Sequence, residues 1–202
     1  MELDMHKYTH LMERAEEWLR EHRREMINEL QSWIVFPSVS REDQGAPGMP
    51  FGADCLQMLN HAMARGRYYG FEVINHQGYA ASLCMGNAED AIGIIAHLDV
   101  VPADEGWLYP PYAASYLPSH DVVIGRGADD NKGSAIAGLF AMRCLRELGY
   151  PLKHGLRLLC GLSEETGMQD MLHLRESGMA FPKVSLVPDA GFPVNYGQKG
   201  SM

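Results

Sequence analysis

Three apolar segments of this chain, each about as long as a strand, run directly into imidazole or carboxylate side chains. AIGIIA leads into His97 and Asp99. LRLLCGL leads into Glu164 and Glu165, and VSLV leads through a proline into Asp189. Continuous apolar runs are typical of strands that are buried on both faces of a sheet. Because ligands bind at the carboxyl ends of the strands in open α/β sheets, we expect these side chains to meet in one place.

Segments with helical periodicity separate the strands and indicate the fold class. A pair of short strands, FEVIN and YAASLCM, precedes the first apolar segment, and DVVIG is predicted as a shorter buried strand after it. Strands that alternate with helices predict an α/β fold, a three-layer sandwich around a mixed, largely parallel sheet. Helices are predicted over the first ~30 residues and over residues 53–69, 132–148 and 168–177.

A further acidic pair, Asp129 and Asp130, lies in GRGADDNKG, the loop before the predicted third helix. Taken singly, each of these features has a plain structural explanation. A histidine after an apolar strand is usually a core residue. Glu164 and Glu165 suit the amino terminus of a helix, and paired aspartates suit a turn or an N-cap. Their common position at strand ends and strand-to-helix loops nevertheless favours a shared site.

Imidazole and carboxylate groups in one site indicate a metal centre. This donor set suits Zn²⁺ and, less selectively, Mn²⁺ or Co²⁺, and the lack of a cysteine ligand leaves the metal open. Several carboxylates in one pocket raise one another's pKa, so they do not all stay ionised unless cations balance them. Two divalent ions about 3.5–4 Å apart are the arrangement of aminopeptidases and phosphatases. We therefore predict a site for two divalent metal ions.

The charge balance excludes one class of partner. The formal net charge is −9, and no basic stripe is available to neutralise phosphates, so no nucleic-acid partner is expected. A solvated acidic surface explains this charge as well as a convergence of carboxylates does. No apolar run reaches the roughly 18–20 residues that span a bilayer, and the charged start is unlike a signal peptide. We therefore expect a cytoplasmic protein without a membrane partner.

The four cysteines give no sign of a disulfide framework. They show no CxxC spacing, and each lies in an apolar or helical context. Buried, reduced thiols are predicted in preference to disulfides or metal ligands. The cysteines are Cys55, Cys84, Cys144 and Cys160.

Four motifs follow one another along the chain: HLDVVPADEGW, GRGADDNKG, GLSEETG and VPDAGFPV. Together they resemble the signature motifs of the aminoacylase/carboxypeptidase family of dinuclear zinc metallopeptidases, and the likeness runs over essentially the whole chain. VPDAGFPV and the YGQKG that follows it resemble most the peptidase V-type (Xaa-His) dipeptidases of that family. The resemblance implies a zinc-exopeptidase-like catalytic domain that hydrolyses dipeptides or short peptides. A deacylase or a carboxypeptidase of the same family would use the same ligands.

The resemblance also implies a role for each candidate residue. His97 would bind the first metal ion, and Asp99 would orient its imidazole. In the family loop the aspartate that bridges the two ions precedes x-Lys-Gly, which selects Asp130 and leaves Asp129 as a neighbour. The family pattern further implies a cis peptide bond after the bridging aspartate, here Asp130–Asn131.

The remaining roles concern the second ion and the reaction. Asp189 would complete the ligands of the first ion, Glu165 would bind the second, and Glu164 would be the general base. In the family, a lid or dimerisation domain and the rest of the catalytic domain, with a last histidine ligand, follow the point where this sequence stops. Residues 1–202 are therefore expected to be the amino-terminal part of the catalytic domain, inactive alone, with an uncovered sheet surface that promotes self-association. A non-catalytic metal-binding remnant is the alternative from a different class.

Overall fold

The computed structural model describes residues 5–189 and 191. In that part of the chain, four α-helices and seven β-strands alternate much as the sequence predicts. The helices are α1 (Met5–Ile34), α2 (Ala53–Tyr68), α3 (Lys132–Glu147) and α4 (Gln169–Glu176). The strands are β1 (Glu72–His76), β2 (Ala80–Met85), β3 (Ala91–His97), β4 (Ser115–Leu117), β5 (Val122–Ile124), β6 (Gly155–Gly161) and β7 (Val184–Leu186).

Five of these strands form one mixed sheet in the order β1-β2-β6-β3-β7. β1 and β2 pair antiparallel, β2 and β6 pair antiparallel, and β6, β3 and β7 run parallel. The register places His97 opposite Gly161, the last residue of β6. The register also places Ile94 opposite Leu186 in β7. The chain therefore leaves β3, β6 and β7 at the same edge of the sheet, as predicted from the residues that follow them.

Helices cover both faces of the sheet, which confirms the three-layer sandwich. Successive strand residues point to opposite faces. Leu158 of β6 accordingly joins the main core with α1, α2 and α3, in which Leu139 of α3 is also fully buried. The next residue, Leu159, joins a smaller cluster with Leu174 of α4 on the other face. The four cysteines are all buried and unpaired, as predicted.

Two strand predictions are wrong in part. DVVIG does not enter the main sheet. Within the described part of the chain, β5 pairs only with β4, in a separate antiparallel hairpin, and Val122 is exposed. VSLV forms β7, but not as a strand buried on both faces. Among the described residues β7 pairs only with β3, so it lies at the edge of the sheet. Val184 is 64% exposed and Leu186 is 62% exposed.

None of the helices in the described part of the chain combines the length and the apolar character needed to cross a bilayer. The longest, α1, packs against α3 and α2. Its contact with α2 centres on Glu29, a buried carboxylate. Glu29 accepts hydrogen bonds from Trp33 at 2.9 Å, from Arg65 at 2.6–3.0 Å and from Tyr69 at 2.6 Å. Burial raises the pKa of Glu29, but the hydrogen bonds from Arg65, Tyr69 and Trp33 outweigh burial, so this pKa lies below its usual value.

We predict that Glu29→Gln destabilises the protein by about 1–3 kcal/mol at pH 7, because Arg65 loses its charged partner. A depressed pKa in the folded state means that this stabilisation is present above the unfolded value of 4.5 and is lost as the pH falls below it. Urea unfolding of both proteins between pH 3 and pH 8 would measure the difference. Glu13→Gln, on the exposed face of α1, is the control. A destabilisation that does not change with pH would contradict the assignment.

Candidate metal centre

His97 is the last residue of β3, and its two ring nitrogens face different partners. The side chain is buried. Nδ1 lies 3.0 Å from the backbone oxygen of Asp99 and 3.3 Å from its carboxylate Oδ1. Both partners are acceptors, so Nδ1 carries a proton and donates it. A metal-binding histidine is commonly held in this way, which leaves Nε2 to face a metal ion.

Two carboxylates lie in front of Nε2 of His97. Asp130 Oδ1 is 3.0 Å away and Asp189 Oδ1 is 3.6 Å away. Ligands at about 2.1 Å from a tetrahedral ion stand about 3.4 Å from one another, so these spacings fit one shared ion. The three ligand atoms form one of two potential metal-binding groups in the described part of the chain. Asp130 belongs to this group, and Asp129 belongs to neither group.

The peptide bond between Asp130 and Asn131 is cis, as the family pattern implies. The Asn131 side chain is buried, and its amide nitrogen donates hydrogen bonds to the Asp189 carboxylate and, at 3.0 Å, to the Pro188 carbonyl oxygen. Asn131 therefore connects the loop that carries Asp130 to the segment after β7 that carries Asp189. The sequence analysis named Asn131 only as part of the cis peptide bond and gave its side chain no role. Its place directly after the selected aspartate was the available signal.

The second potential group consists of His97, Glu164 and Glu165. Both glutamates lie in the turn after β6. The Asp99 carboxylate is 0% exposed and accepts the backbone N–H groups of Glu164 at 3.2 Å and Glu165 at 3.1 Å. The buried Asp99 carboxylate thus contacts both the His97 imidazole and the turn that carries the two glutamates. This shared contact fixes the positions of the three potential ligands relative to one another.

Lys132 anchors the end of the loop that carries Asp130, at the point where this loop enters α3. It is the first residue of α3, and its side chain is fully buried. Nζ donates to the backbone oxygens of Phe36 at 2.7 Å and Trp33 at 3.2 Å, which lie at the carboxyl end of α1. Cations are favoured at that end of a helix. Burial lowers the pKa of Lys132 to about 7. The x-Lys-Gly sequence helped to select Asp130, but it did not reveal this contact.

The electrostatics of the site favour cations. Burial and then the neighbouring carboxylates, Asp130 among them, raise the pKa of Glu164 and of Glu165. Burial lowers the pKa of His97, but the hydrogen bond and charge of Asp99 outweigh burial and raise it to about 9. The Asp130 side chain is 64% exposed, so the cluster is open to solvent on that side. An open cluster of mutually repelling carboxylates around one imidazole is suited to divalent ions.

The structure brings together every residue that the sequence analysis assigned to the site. Their separate roles as ligands, as orienting group and as base stay predictions. Only part of the last motif can be compared, since Ala190 and residues 192–194 of VPDAGFPV, and the whole of YGQKG, lie outside the described residues. The six assigned residues are His97, Asp99, Asp130, Glu164, Glu165 and Asp189.

Comparison with known proteins gives one family match. The model of peptidase family M20/M25/M40 matches residues 93–196. A Bacillus subtilis protein named "Putative dipeptidase YtjP" is 30% identical over 176 residues, which cover 87% of this chain and 37% of that protein. The chain thus spans about two fifths of the length of the curated relatives that it matches.

Two solved structures have a similar fold. The crystal structure of human carnosine dipeptidase 1 matches with a TM-score of 0.70 and 24% identity, over 90% of this chain and 42% of that one. An M20 family metallo-carboxypeptidase from Sulfolobus solfataricus matches with a TM-score of 0.68 and 23% identity, over 83% of this chain and 38% of that one. At these identities the likeness concerns the fold.

We predict that Glu165→Gln raises the thermal stability of the metal-free protein at pH 7, because it removes one of the repelling carboxylates. A raised pKa in the folded state means that the charged form of Glu165 costs stability above the unfolded value of 4.5. The gain should therefore disappear as the pH falls to that value. Thermal unfolding in the presence of a chelator measures it. Asp99→Asn is the contrasting variant and should lower stability, since Asp99 holds three hydrogen-bond donors. A metal-free Glu165→Gln protein less stable than the wild type would contradict the repulsion.

Proposed function

The chain belongs to peptidase family M20/M25/M40, and we propose that it supplies the metal centre of a dipeptidase. The observation that carries the proposal is the pair of ligand groups that share His97 at the carboxyl ends of β3, β6 and β7. The proposed reaction is the hydrolysis of dipeptides or short peptides. The name of the Bacillus subtilis relative supports this choice of substrate.

We propose that the centre binds two divalent ions. His97, Asp130 and Asp189 would hold the first ion, a set supported by the spacing of their ligand atoms around Nε2. Glu165 would hold the second ion, and Asp130 would bridge the two. Imidazole with carboxylates suits Zn²⁺ first, and Mn²⁺ or Co²⁺ are alternatives of the same chemistry.

Each residue of the site would then have one task in the reaction. When bound, a pair of divalent ions polarises a scissile carbonyl group and makes water nucleophilic at neutral pH. Glu164 would take the proton from the attacking water and give it to the leaving amine. In the metal-free protein, burial and then the neighbouring carboxylates raise the pKa of Glu164, which is the direction that a base later acting as an acid requires. Asp99 would keep the Nδ1 proton of His97 in place while Nε2 faces the ion.

The second ion should bind more weakly than the first. Of the assigned ligands, three side chains serve the first ion, whereas only Asp130 and Glu165 serve the second. We therefore expect these 202 residues alone to bind metal but to hydrolyse dipeptides slowly at most. Full activity is proposed for a protein of the relatives' length.

Titration of the purified chain with Zn²⁺ tests the proposal. We expect one tight ion and one weaker ion in the wild type, loss of the tight ion in His97→Ala, and retention of both in Glu164→Gln. In a protein of the relatives' length, release of free amino acids from dipeptides should fall about 10²–10⁴-fold in Glu164→Gln. The control is His10→Ala, on the exposed part of α1. Unchanged binding in His97→Ala would refute the centre, and loss of an ion in Glu164→Gln would make Glu164 a ligand.

Self-association through the open edge of β7 is a further proposal about partners. Val184 and Leu186 are exposed there, and an exposed edge strand is a template for pairing with another chain. Sedimentation should give a mass that rises above the monomer with concentration. Leu186→Lys should suppress the rise, whereas Leu108→Lys, at an exposed loop position, should not. A monomer at all concentrations would contradict the proposal.

A cytoplasmic location is proposed on the state of the thiols. All four cysteines are buried and unpaired, as expected in a reducing compartment. Disulfide-linked protein recovered from cells under native conditions would count against this location.

A further inference from the structure

The turn that carries the two glutamates is held by two buried carboxylates. The four consecutive backbone N–H groups of residues 162–165 all donate to them. Asp170 Oδ2 accepts from Leu162 at 2.6 Å and from Ser163 at 3.1 Å. The next two N–H groups donate to Asp99, as described above. Asp170 lies outside every motif used to assign the site.

Asp170 has an unusual environment for a charged side chain. It is 1% exposed, and every hydrogen-bond donor to it in the described part of the chain is a backbone N–H. Its third donor is the N–H of Met171, at 2.7 Å from Oδ1. A buried carboxylate without a cationic partner is costly. Hydrogen bonds from backbone N–H groups offset part of that cost.

The end of β6 is shaped to let Asp170 approach. A Cβ atom added to Gly161 would lie 2.4 Å from Asp170 Oδ2 and 2.8 Å from the terminal carbon of Met171. Any larger residue at position 161 would therefore push Asp170 away from the turn. Gly161 is also the residue opposite His97 in the register, so this contact lies directly beside the proposed metal centre.

We propose that Asp170 is a positioning residue of the metal centre. Asp170 fixes the first half of the turn and Asp99 fixes the second half, so that the side chains of Glu164 and Glu165 are directed towards His97. The inference rests on the proposed function, because Asp170 would position Glu165 to bind the second ion and Glu164 to act as the base. It differs from the simpler role of starting α4, where an acidic residue in the first turn is favourable in itself.

The two roles predict different results for Asp170→Asn. The amide has nearly the same shape, but it loses the charge that strengthens the hydrogen bonds, and its NH₂ group cannot accept from an N–H. Loss of a supporting hydrogen-bond partner typically lowers metal affinity about 10–100-fold. We expect that loss for the second ion in a Zn²⁺ titration, with the affinity for the first ion within about threefold of the wild type. A role limited to α4 would lower the melting temperature without this selectivity.

Two further variants separate positioning from general destabilisation. Gly161→Ala leaves all charges and donors in place but displaces Asp170, so it should reproduce the selective loss of the second ion. Glu29→Gln removes another buried carboxylate, whose hydrogen-bond donors lie in α1, in α2 and at Tyr69 beside α2, so it should lower stability and leave both affinities unchanged. Circular dichroism of each variant checks that the protein is folded.

Amide hydrogen exchange provides a readout that does not depend on metal. In the metal-free protein, exchange at residues 162–165 should be about tenfold faster in Asp170→Asn, with no change in Glu29→Gln. Unchanged exchange, unchanged second-ion affinity, or an equal loss of both ions would overturn the role of Asp170. A wild type that binds no ion through His97 would overturn the proposed function instead, and the exchange data would still decide whether Asp170 holds the turn.

Discussion

One buried carboxylate, that of Asp99, links the two halves of the candidate metal centre. It lies against Nδ1 of His97 and accepts the backbone N–H groups of Glu164 and Glu165. Because a buried carboxylate must find hydrogen-bond donors, the end of β3 and the turn after β6 cannot move apart without leaving it unsatisfied. Two further contacts hold the rest of the site. Asn131 donates a hydrogen bond to the segment after β7, and Lys132, which follows the loop that carries Asp130, donates one to the end of α1.

The arrangement depends on parallel pairing. Parallel strands in register deliver their following residues to one edge, and here the three site-bearing strands are the parallel ones. Burial raises the pKa values of the two glutamates, and the carboxylates that the same geometry brings close raise them further. Natural active sites commonly trade stability for function in this way. The hydrophobic layers on both faces of the sheet stabilise the fold, and so do the hydrogen bonds of Glu29 between α1 and α2. Both lie away from the repelling carboxylates of the site.

The sequence predicts the parts of this protein that depend on local pattern. AIGIIA and LRLLCGL are long enough to specify buried strands, and helical periodicity gives the bounds of α3 to within one residue. VSLV has a similar composition but forms an exposed edge strand, since burial depends on neighbours that composition does not reveal. The side-chain contacts of Asp170 and Asn131 were not predicted for the same reason. Their importance comes from contacts with backbone or side chains that only the folded chain brings near.

The central claim is a dinuclear centre built around His97. Anomalous diffraction at the zinc absorption edge, from crystals of the zinc-loaded chain, tests it most directly. Two peaks about 3.5–4 Å apart are predicted, one of them about 2.1 Å from His97 Nε2 and both in contact with Asp130. Peaks only at other histidines, or no peak beside His97, would contradict the claim.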